Sequence, residues 1–106
     1  MGRTTLGEFE QLVLLACLRL GDGAYTVSIM KELTARTGRT ASHAAVYVAL
    51  KRLEERKLVA SRLGTSTPER GGRAKRFVQV LPEAVTMLRA ARDDLMNMWQ
   101  GLEEGA

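Results

Sequence analysis

The sequence predicts a mainly α protein with one small β-hairpin. Four segments carry apolar residues at helical spacing, and two short stretches between the third and fourth are rich in strand-favouring residues. The chain has 106 residues, of which 45% are hydrophobic and 26% charged, as expected for one globular domain. The predicted order is helix, helix, helix, hairpin, helix.

The first predicted helix spans Leu6 to Leu20 and is apolar on every face over residues 12–18. A helix that is hydrophobic all round is buried all round. A terminal helix in a small domain is not easily covered by its own chain alone, so we expect a second subunit to cover part of it. Gly21-Asp22-Gly23 ends the helix, because glycine suits the left-handed cap position.

The second predicted helix runs from about Thr26 to Thr37 and is ended by Gly38. Its apolar stripe consists of Ile29, Met30 and Leu33. Ser42 is the predicted N-cap of the third helix, because its hydroxyl can accept a backbone N–H. The buried face of that helix repeats at i, i+3, i+4 and i+7 and comprises Val46, Ala49, Leu50 and Leu53. The opposite face carries Ala44, Tyr47, Val48 and Lys51, with His43 at the helix start.

Two strands are predicted at residues 58–63 and 76–81, separated by a loop full of turn-forming residues at 64–74. This pattern indicates a hairpin with a long, basic tip. Pro82 then opens a last helix, where its missing N–H costs nothing. In that helix apolar residues alternate at spacings of four and three, which is a heptad seam formed by Ala84, Leu88, Ala91, Leu95, Met98 and Leu102, with Trp99 beside it.

This order of elements is that of a winged helix-turn-helix domain, residues 1–81, followed by a C-terminal dimerisation helix, residues 82–106, packed with the first helix. We expect the dimer interface to include Leu88, Ala91, Leu95, Met98, Trp99 and Leu102.

Positive charge is concentrated in one part of the chain. Residues 36–76 contain eleven basic and three acidic residues, a net charge of +8, whereas the whole chain has a net charge of +4. Such a block of charge favours a polyanionic partner, either nucleic acid or an anionic membrane surface.

Several other functions are not expected. No apolar run approaches the length of a membrane span, and the N-terminus lacks the apolar stretch of a signal peptide, so we expect a cytoplasmic protein that does not act at a membrane. Cys17 and His43 are the only residues of their types, so we expect no disulfide within the chain, no metal site and no cofactor. Gly71-Gly72 is not followed by the Lys-Ser/Thr of a nucleotide loop, and no catalytic constellation is present, so an enzyme is not expected.

Three motifs occur in a characteristic order: Leu6-Gly7-Glu8-Phe9-Glu10, then Ala45-Val46-Tyr47, then Pro68-Glu69-Arg70-Gly71-Gly72-Arg73-Ala74-Lys75-Arg76. On these motifs the sequence resembles the PadR family of transcriptional regulators, in its short form with a single C-terminal helix. The resemblance covers nearly the whole chain. It implies a dimer built by the first and last helices, a third helix that reads DNA, and repression that is commonly relieved by a small molecule or another signal.

The sequence departs from the usual pattern of that family at four positions. Thr26, Ala44 and Lys57 stand where the family often has glycine, and Leu81 stands where a threonine often caps the last helix. A non-glycine residue in a left-handed cap costs about 1 kcal/mol. Loss of an N-cap side chain costs roughly 1 kcal/mol.

Candidate DNA contacts fall into two groups, because phosphate contacts position a protein and base contacts give specificity. At the start of the third helix Ser42 and His43 could read bases, and Ala44 and Val48 could meet a thymine methyl group. Phosphate, groove-wall or minor-groove contacts are expected from Arg39, Tyr47, Lys51, Arg70, Arg73 and Lys75. The alternatives are that Tyr47 is a half-buried packing residue and that the hairpin tip is a solvated loop without a partner.

Trp99 has two interpretations. It could offer an aromatic surface to a small apolar or aromatic effector between subunits, with Phe9, Met87 and Met98 as neighbours, or it could simply fill the dimer core. The leading hypothesis for function is a sequence-specific regulator of double-stranded DNA, acting as a homodimeric repressor. The alternatives are a winged-helix interaction module without specific DNA binding and a non-specific architectural nucleic-acid binder.

Overall fold

The computed structural model describes residues 5–64 and 74–102. Within these ranges the elements follow the predicted order, with four α-helices, one short 3-10 turn and a two-stranded hairpin. They are α1 (Glu8–Leu20), the turn Gly21–Gly23, α2 (Thr26–Thr37), α3 (His43–Glu55), β1 (Val59–Leu63), β2 (Arg76–Val80) and α4 (Pro82–Trp99).

The helix ends follow the capping chemistry that the sequence predicts. Ser42 caps α3, its hydroxyl accepting the backbone N–H of Ala45 at 3.0 Å. Gly38 ends α2 in the left-handed conformation, with φ 74°. The first helix begins at Glu8, two residues later than predicted, because Gly7 takes the N-cap position in extended backbone and its N–H donates to Glu10 Oε1 at 3.1 Å.

The core lies where α1, α2 and α3 meet. The largest fully buried side chains are Val13, Leu14, Ile29, Val46 and Leu53, and all four residues predicted for the inner face of α3 are buried. The hairpin adds Val59 and Val78 to the same cluster, and the first two turns of α4 add Ala84 and Leu88. This packing fixes α3 by one face and leaves its other face exposed.

The hairpin is antiparallel, with Val59 opposite Val80 at its base and Leu63 opposite Arg76 towards its tip. Its second strand is also attached to the connection between α1 and α2, because the N–H of Val78 donates to the carbonyl of Ala24 at 2.9 Å. β2 is therefore hydrogen-bonded along both of its edges, to β1 on one side and to Ala24 on the other.

Two of the unusual positions behave as the sequence predicts. Lys57 adopts φ 63° directly after α3, so a non-glycine residue occupies the left-handed region. Leu81 is the N-cap of α4 and provides no side-chain hydrogen bond, whereas Pro82 takes the first helical position. Both features reduce the stability of the local backbone.

The seam of α4 differs from the prediction in two ways. Leu88 is only 7% exposed, because it already packs into the core of its own chain. Leu102 lies beyond the end of α4, which stops at Trp99, and its N–H donates to the carbonyl of Trp99 at 2.8 Å. The exposed part of the seam is therefore shorter than the predicted heptads.

The first helix is not buried all round within one chain. Its outer face leaves Leu15 and Leu18 45% and 44% exposed. On α4, Leu95, Met98 and Trp99 are exposed as well, whereas Ala91 is partly buried. These side chains give the chain an apolar surface that it does not cover itself.

Candidate nucleic-acid interface

The outer face of α3 presents His43, Ala44, Tyr47, Val48 and Lys51 to solvent. Tyr47 is 50% exposed and Val48 45% exposed, because the inner face of the helix is the part that packs into the core. The backbone that carries these five side chains is held in place, since the helix is capped at its start and packs into the core by its other face. The arrangement provides a convex, mixed polar and apolar surface of the kind that fits a DNA major groove.

Ser42 lies at the edge of this face but its hydroxyl already has a role. The oxygen accepts the N–H of Ala45, so the group retains its hydrogen for donation to a ligand. With one lone pair used by Ala45, the hydroxyl keeps its hydrogen and a second lone pair for a contact with a base.

Arg39 lies in the turn between α2 and α3, where its guanidinium pairs with the carboxylate of Glu8. Nη1 is 3.1 Å from Oε2 and Nη2 is 3.5 Å from Oε1. Both side chains are mostly exposed, so the pair contributes little to stability and a phosphate could compete for the arginine.

A second ion pair joins the end of α3 to the start of α1. Arg56 Nη1 lies 3.2 Å from Glu10 Oε1, and Nη2 donates to the carbonyl of Thr5 at 3.1 Å. This pair is largely buried, at 25% and 19% exposure of the two side chains. The acidic residues of the Leu6–Glu10 motif thus hold the segments on either side of α3.

Two aromatic rings with cations over them lie near the tip end of the paired strands, one from β2 and one from the start of α2. Tyr25 and Phe77 meet edge to face, with ring centroids 5.5 Å apart. Lys75 Nζ lies 4.5 Å from the centre of the Tyr25 ring, and Arg62 Cζ lies 5.0 Å from that of Phe77. Cation–π contacts of this kind hold both cations near the surface of the hairpin. Arg70 and Arg73, predicted as contacts at the tip, lie outside the described residues.

The other face of the hairpin approaches α3. The hydroxyl of Ser61 donates to Glu54 Oε2 at 2.9 Å and accepts from Arg76 Nη1 at 3.1 Å. Sequence reasoning did not select Arg62 or Arg76 as site residues. The register of the two strands places Arg76 on the same face as Ser61 and Arg62 on the opposite one.

A groove of about 460 Å³ lies between α1 and α4. Trp99 is at one end of it, 50% exposed. The lining residues are Gln11, Leu15, Leu88, Arg89, Arg92, Leu95, Met96 and Trp99. The neighbours predicted for Trp99, namely Phe9, Met87 and Met98, are not among them, because Phe9 and Met87 pack against the core and the helical spacing places Met96 in the groove.

Comparison with known proteins identifies the family. The model of the PadR-like family of transcriptional regulators matches residues 14–78, which is more than half of the chain. The chain belongs to the PadR-like family. A comparison with curated proteins found no match.

Solved structures support the same fold for this PadR-family chain. It is similar to a transcriptional regulator from Clostridium thermocellum, with 18% identity, a TM-score of 0.72 and coverage of 90% of this chain and 89% of the other. A PadR-family regulator from Eggerthella lenta gives 23% identity, a TM-score of 0.69 and coverage of 92% and 84%. A PadR-like transcription factor from Bacteroides fragilis gives 17% identity, a TM-score of 0.74 and coverage of 92% and 89%.

Family membership settles the broad class of function. The chain is a winged-helix transcriptional regulator that binds DNA, and not an enzyme. Burial raises the pKa of Cys17 to about 12, so its thiol stays neutral near pH 7. Within residues 5–64 and 74–102, no three His, Cys, Asp or Glu side chains are grouped as a metal site, and no helix there has the length and apolarity to span a membrane.

Proposed function

We propose that this PadR-family regulator binds a specific site on double-stranded DNA as a homodimer and represses transcription from it in the cytoplasm. The exposed face of α3 is the observation that carries the proposal, because it is held on a rigid, capped helix beside a basic hairpin. A helix in this setting can enter the major groove while the hairpin meets the backbone.

The residues of this face have distinct roles in the proposal. His43 and Ser42 read base edges at the N-terminal end of α3, and Tyr47 and Lys51 contact phosphates one turn further along. Arg39 and Lys75 are further phosphate contacts from the two flanking elements, together with Arg70 and Arg73 of the hairpin tip. The described members of this set are all exposed or partly exposed, as such contacts require.

The exposed apolar side chains support a homodimer. Leu15 and Leu18 on α1 and Leu95, Met98 and Trp99 on α4 are between 44% and 75% exposed. Contiguous apolar surface of this kind commonly marks an interface. Two copies related by a twofold axis present two reading helices, so the proposal predicts a pseudo-palindromic DNA site.

The groove between α1 and α4 supports regulation by a small molecule. Its lining combines Trp99 and aliphatic side chains with two arginines, which suits a small apolar or aromatic effector. An effector that favours one angle between the two subunits of the dimer would change the distance between their α3 helices. A dimer with the wrong distance between these helices would release DNA.

A second candidate function is a dimerisation module that keeps the fold without specific DNA binding. Lys57 favours it, because the left-handed backbone of this residue lies directly after the reading helix and costs about 1 kcal/mol. The basic hairpin, which presents Lys75 and Arg76 at the start of β2, favours DNA binding instead.

The test is a titration of the protein into a fluorescent duplex from its own upstream region and into a scrambled duplex of the same composition, at several salt concentrations. Roughly thousandfold tighter binding to the native duplex is the expected result. Equal, salt-dependent binding to both would indicate an architectural protein or an operator elsewhere. Absence of binding at low salt would favour the dimerisation module.

A further inference from the structure

A cleft of about 330 Å³ separates the outer face of α3 from the start of β2. It is lined by Tyr47, Lys51, Glu54, Glu55 and Arg76. The cleft lies between the reading helix and the hairpin, which are the two elements that the proposed function assigns to DNA. A phosphate group that passes between these elements would have to lie in or beside it.

A chain of two hydrogen bonds fixes the arginine of this cleft. Arg76 can only donate and the carboxylate of Glu54 can only accept, so the hydroxyl of Ser61 must accept from the first and donate to the second. The distances are 3.1 Å from Arg76 Nη1 to Ser61 Oγ and 2.9 Å from Ser61 Oγ to Glu54 Oε2. The direction of both bonds is therefore determined, and a neutral residue joins the arginine to the helix.

Most of the hydrogen-bonding capacity of Arg76 remains available. An arginine carries five N–H donors. In the part of the chain that the structure describes, its guanidinium makes the one hydrogen bond to Ser61 and no ion pair. The side chain is exposed, so its other donors can meet a ligand in the cleft.

The charges of the lining balance one another, so an anion in the cleft would be held by the hydrogen-bond donors of Tyr47, Lys51 and Arg76 and not by net charge. Lys51 and Arg76 are opposed by Glu54 and Glu55. One oxygen of the Glu54 carboxylate accepts the hydrogen bond of Ser61. Both Glu54 and Glu55 would oppose a phosphate and limit its affinity.

We propose that Arg76, held in place by Ser61 and Glu54, forms with Tyr47 and Lys51 a binding site for one phosphate of the DNA backbone. The inference rests on the proposed DNA interface and adds Arg76 to it. Arginine suits the role, because its planar donors can bind two phosphate oxygens at once. Ser61 and Glu54 act as positioning residues and need not touch DNA.

The first experiment measures binding to a random-sequence duplex over a range of salt concentrations, so no operator is needed. Arg76→Gln should lower the slope of log K against log salt by about 0.9, the value for one phosphate contact. Affinity at low salt should fall roughly tenfold, as for loss of a hydrogen bond to a charged group. Arg62→Gln is the matched control, because it removes the same charge from the opposite face of the same hairpin.

The second experiment tests the positioning role with Ser61→Ala, which changes no charge. We expect it to weaken binding about threefold in the wild-type background, since a misplaced arginine loses part of a hydrogen bond. In the Arg76→Gln background it should have no further effect. The urea midpoint of each variant shows that the fold is retained.

If Arg76→Gln and Arg62→Gln lower the slope of log K against log salt equally, the cleft is not a phosphate site. The loss of slope would then come from the loss of one positive charge anywhere on the hairpin. An undiminished effect of Ser61→Ala in the Arg76→Gln background would overturn the positioning role. Failure of the proposed function is a different outcome from these two: the wild-type protein itself would then show no salt-dependent binding to any duplex.

Discussion

Gly64 lies against the ring of Phe77. A Cβ atom added at residue 64 would come within 2.5 Å of Cε2 and 3.0 Å of Cδ2 of that ring. The N–H of Gly64 also donates to the carbonyl of Lys75 at 2.7 Å. The absence of a side chain at this position therefore lets the ring lie over the end of β1, where it supports Arg62 and meets Tyr25.

Gly64→Ala should displace the Phe77 ring and disturb the end of the paired strands that leads to the hairpin tip. We expect the free energy of unfolding in urea to fall by about 1–3 kcal/mol, the usual cost of overpacking. Gly23→Ala is the control, because a Cβ there meets no atom within 4 Å. Recovery of stability in Gly64→Ala combined with Phe77→Leu would support the steric cause, and equal effects of the two alanine variants would contradict it.

The ion pair between Glu10 and Arg56 should contribute measurably to stability. Glu10→Ala leaves the largely buried guanidinium without its carboxylate and is expected to cost about 2 kcal/mol in urea unfolding. Glu8→Ala, which removes the exposed pair with Arg39, should cost less than about 1 kcal/mol. A double-mutant cycle of Glu10→Ala with Arg56→Ala that shows no coupling would exclude the pair as the cause.

Lys57→Gly should stabilise the protein. The residue adopts φ 63°, which glycine reaches without the steric cost of a Cβ, so we expect a gain of about 1 kcal/mol in urea unfolding. Lys57→Ala removes the same charge and keeps the Cβ, so it should give no such gain. If both substitutions change stability equally, the left-handed backbone is not the reason.

The exposed end of α4 should be needed for self-association. Leu95 is 56% exposed, and a carboxylate in its place would have to be desolvated at an interface. We expect Leu95→Glu to shift the protein to monomers in sedimentation velocity. Leu63→Glu, at the 61% exposed position on the hairpin, should leave the oligomeric state unchanged. Dimers that persist in Leu95→Glu at micromolar concentration would argue against this interface.

Cys17 should make stability decrease at alkaline pH. Its pKa rises from 9.0 to about 12 on folding, so above pH 9 the unfolded chain releases a proton that the folded chain retains. The contribution of the neutral Cys17 thiol to the free energy of unfolding is therefore complete below pH 9, and it is lost as the pH rises towards 12. The difference in unfolding free energy between the wild type and Cys17→Ala should narrow over this window, and a constant difference would contradict the expectation.

The sequence predicts the elements well because capping and periodicity are local. The bounds of α2 agree to the residue, and Ser42 caps α3 as its chemistry requires. The end of α4 was misjudged, because a heptad pattern continues to Leu102 whereas the backbone leaves the helix after Trp99. Periodicity describes which side chains recur and does not say where hydrogen bonding of the backbone stops.

The candidate site was predicted only in part, for a different reason. The exposed face of α3 follows from the helical spacing of its buried face. The bonds of Ser61 to Glu54 and Arg76 depend on the register of the strands and on how the hairpin meets the helix, which no local pattern encodes. The same is true of Arg39 and Glu8, which are 31 residues apart in the chain.

The two ion pairs at the start of α1 have a mechanical consequence. Glu8 pairs with Arg39 in the turn that precedes α3, and Glu10 pairs with Arg56, which follows α3, so the first turn of α1 contacts the chain at both ends of α3. A change in the position of α1 would therefore be felt at both ends of α3. Because Leu15 and Leu18 lie further along α1, we expect a partner that covers them to influence how α3 is oriented.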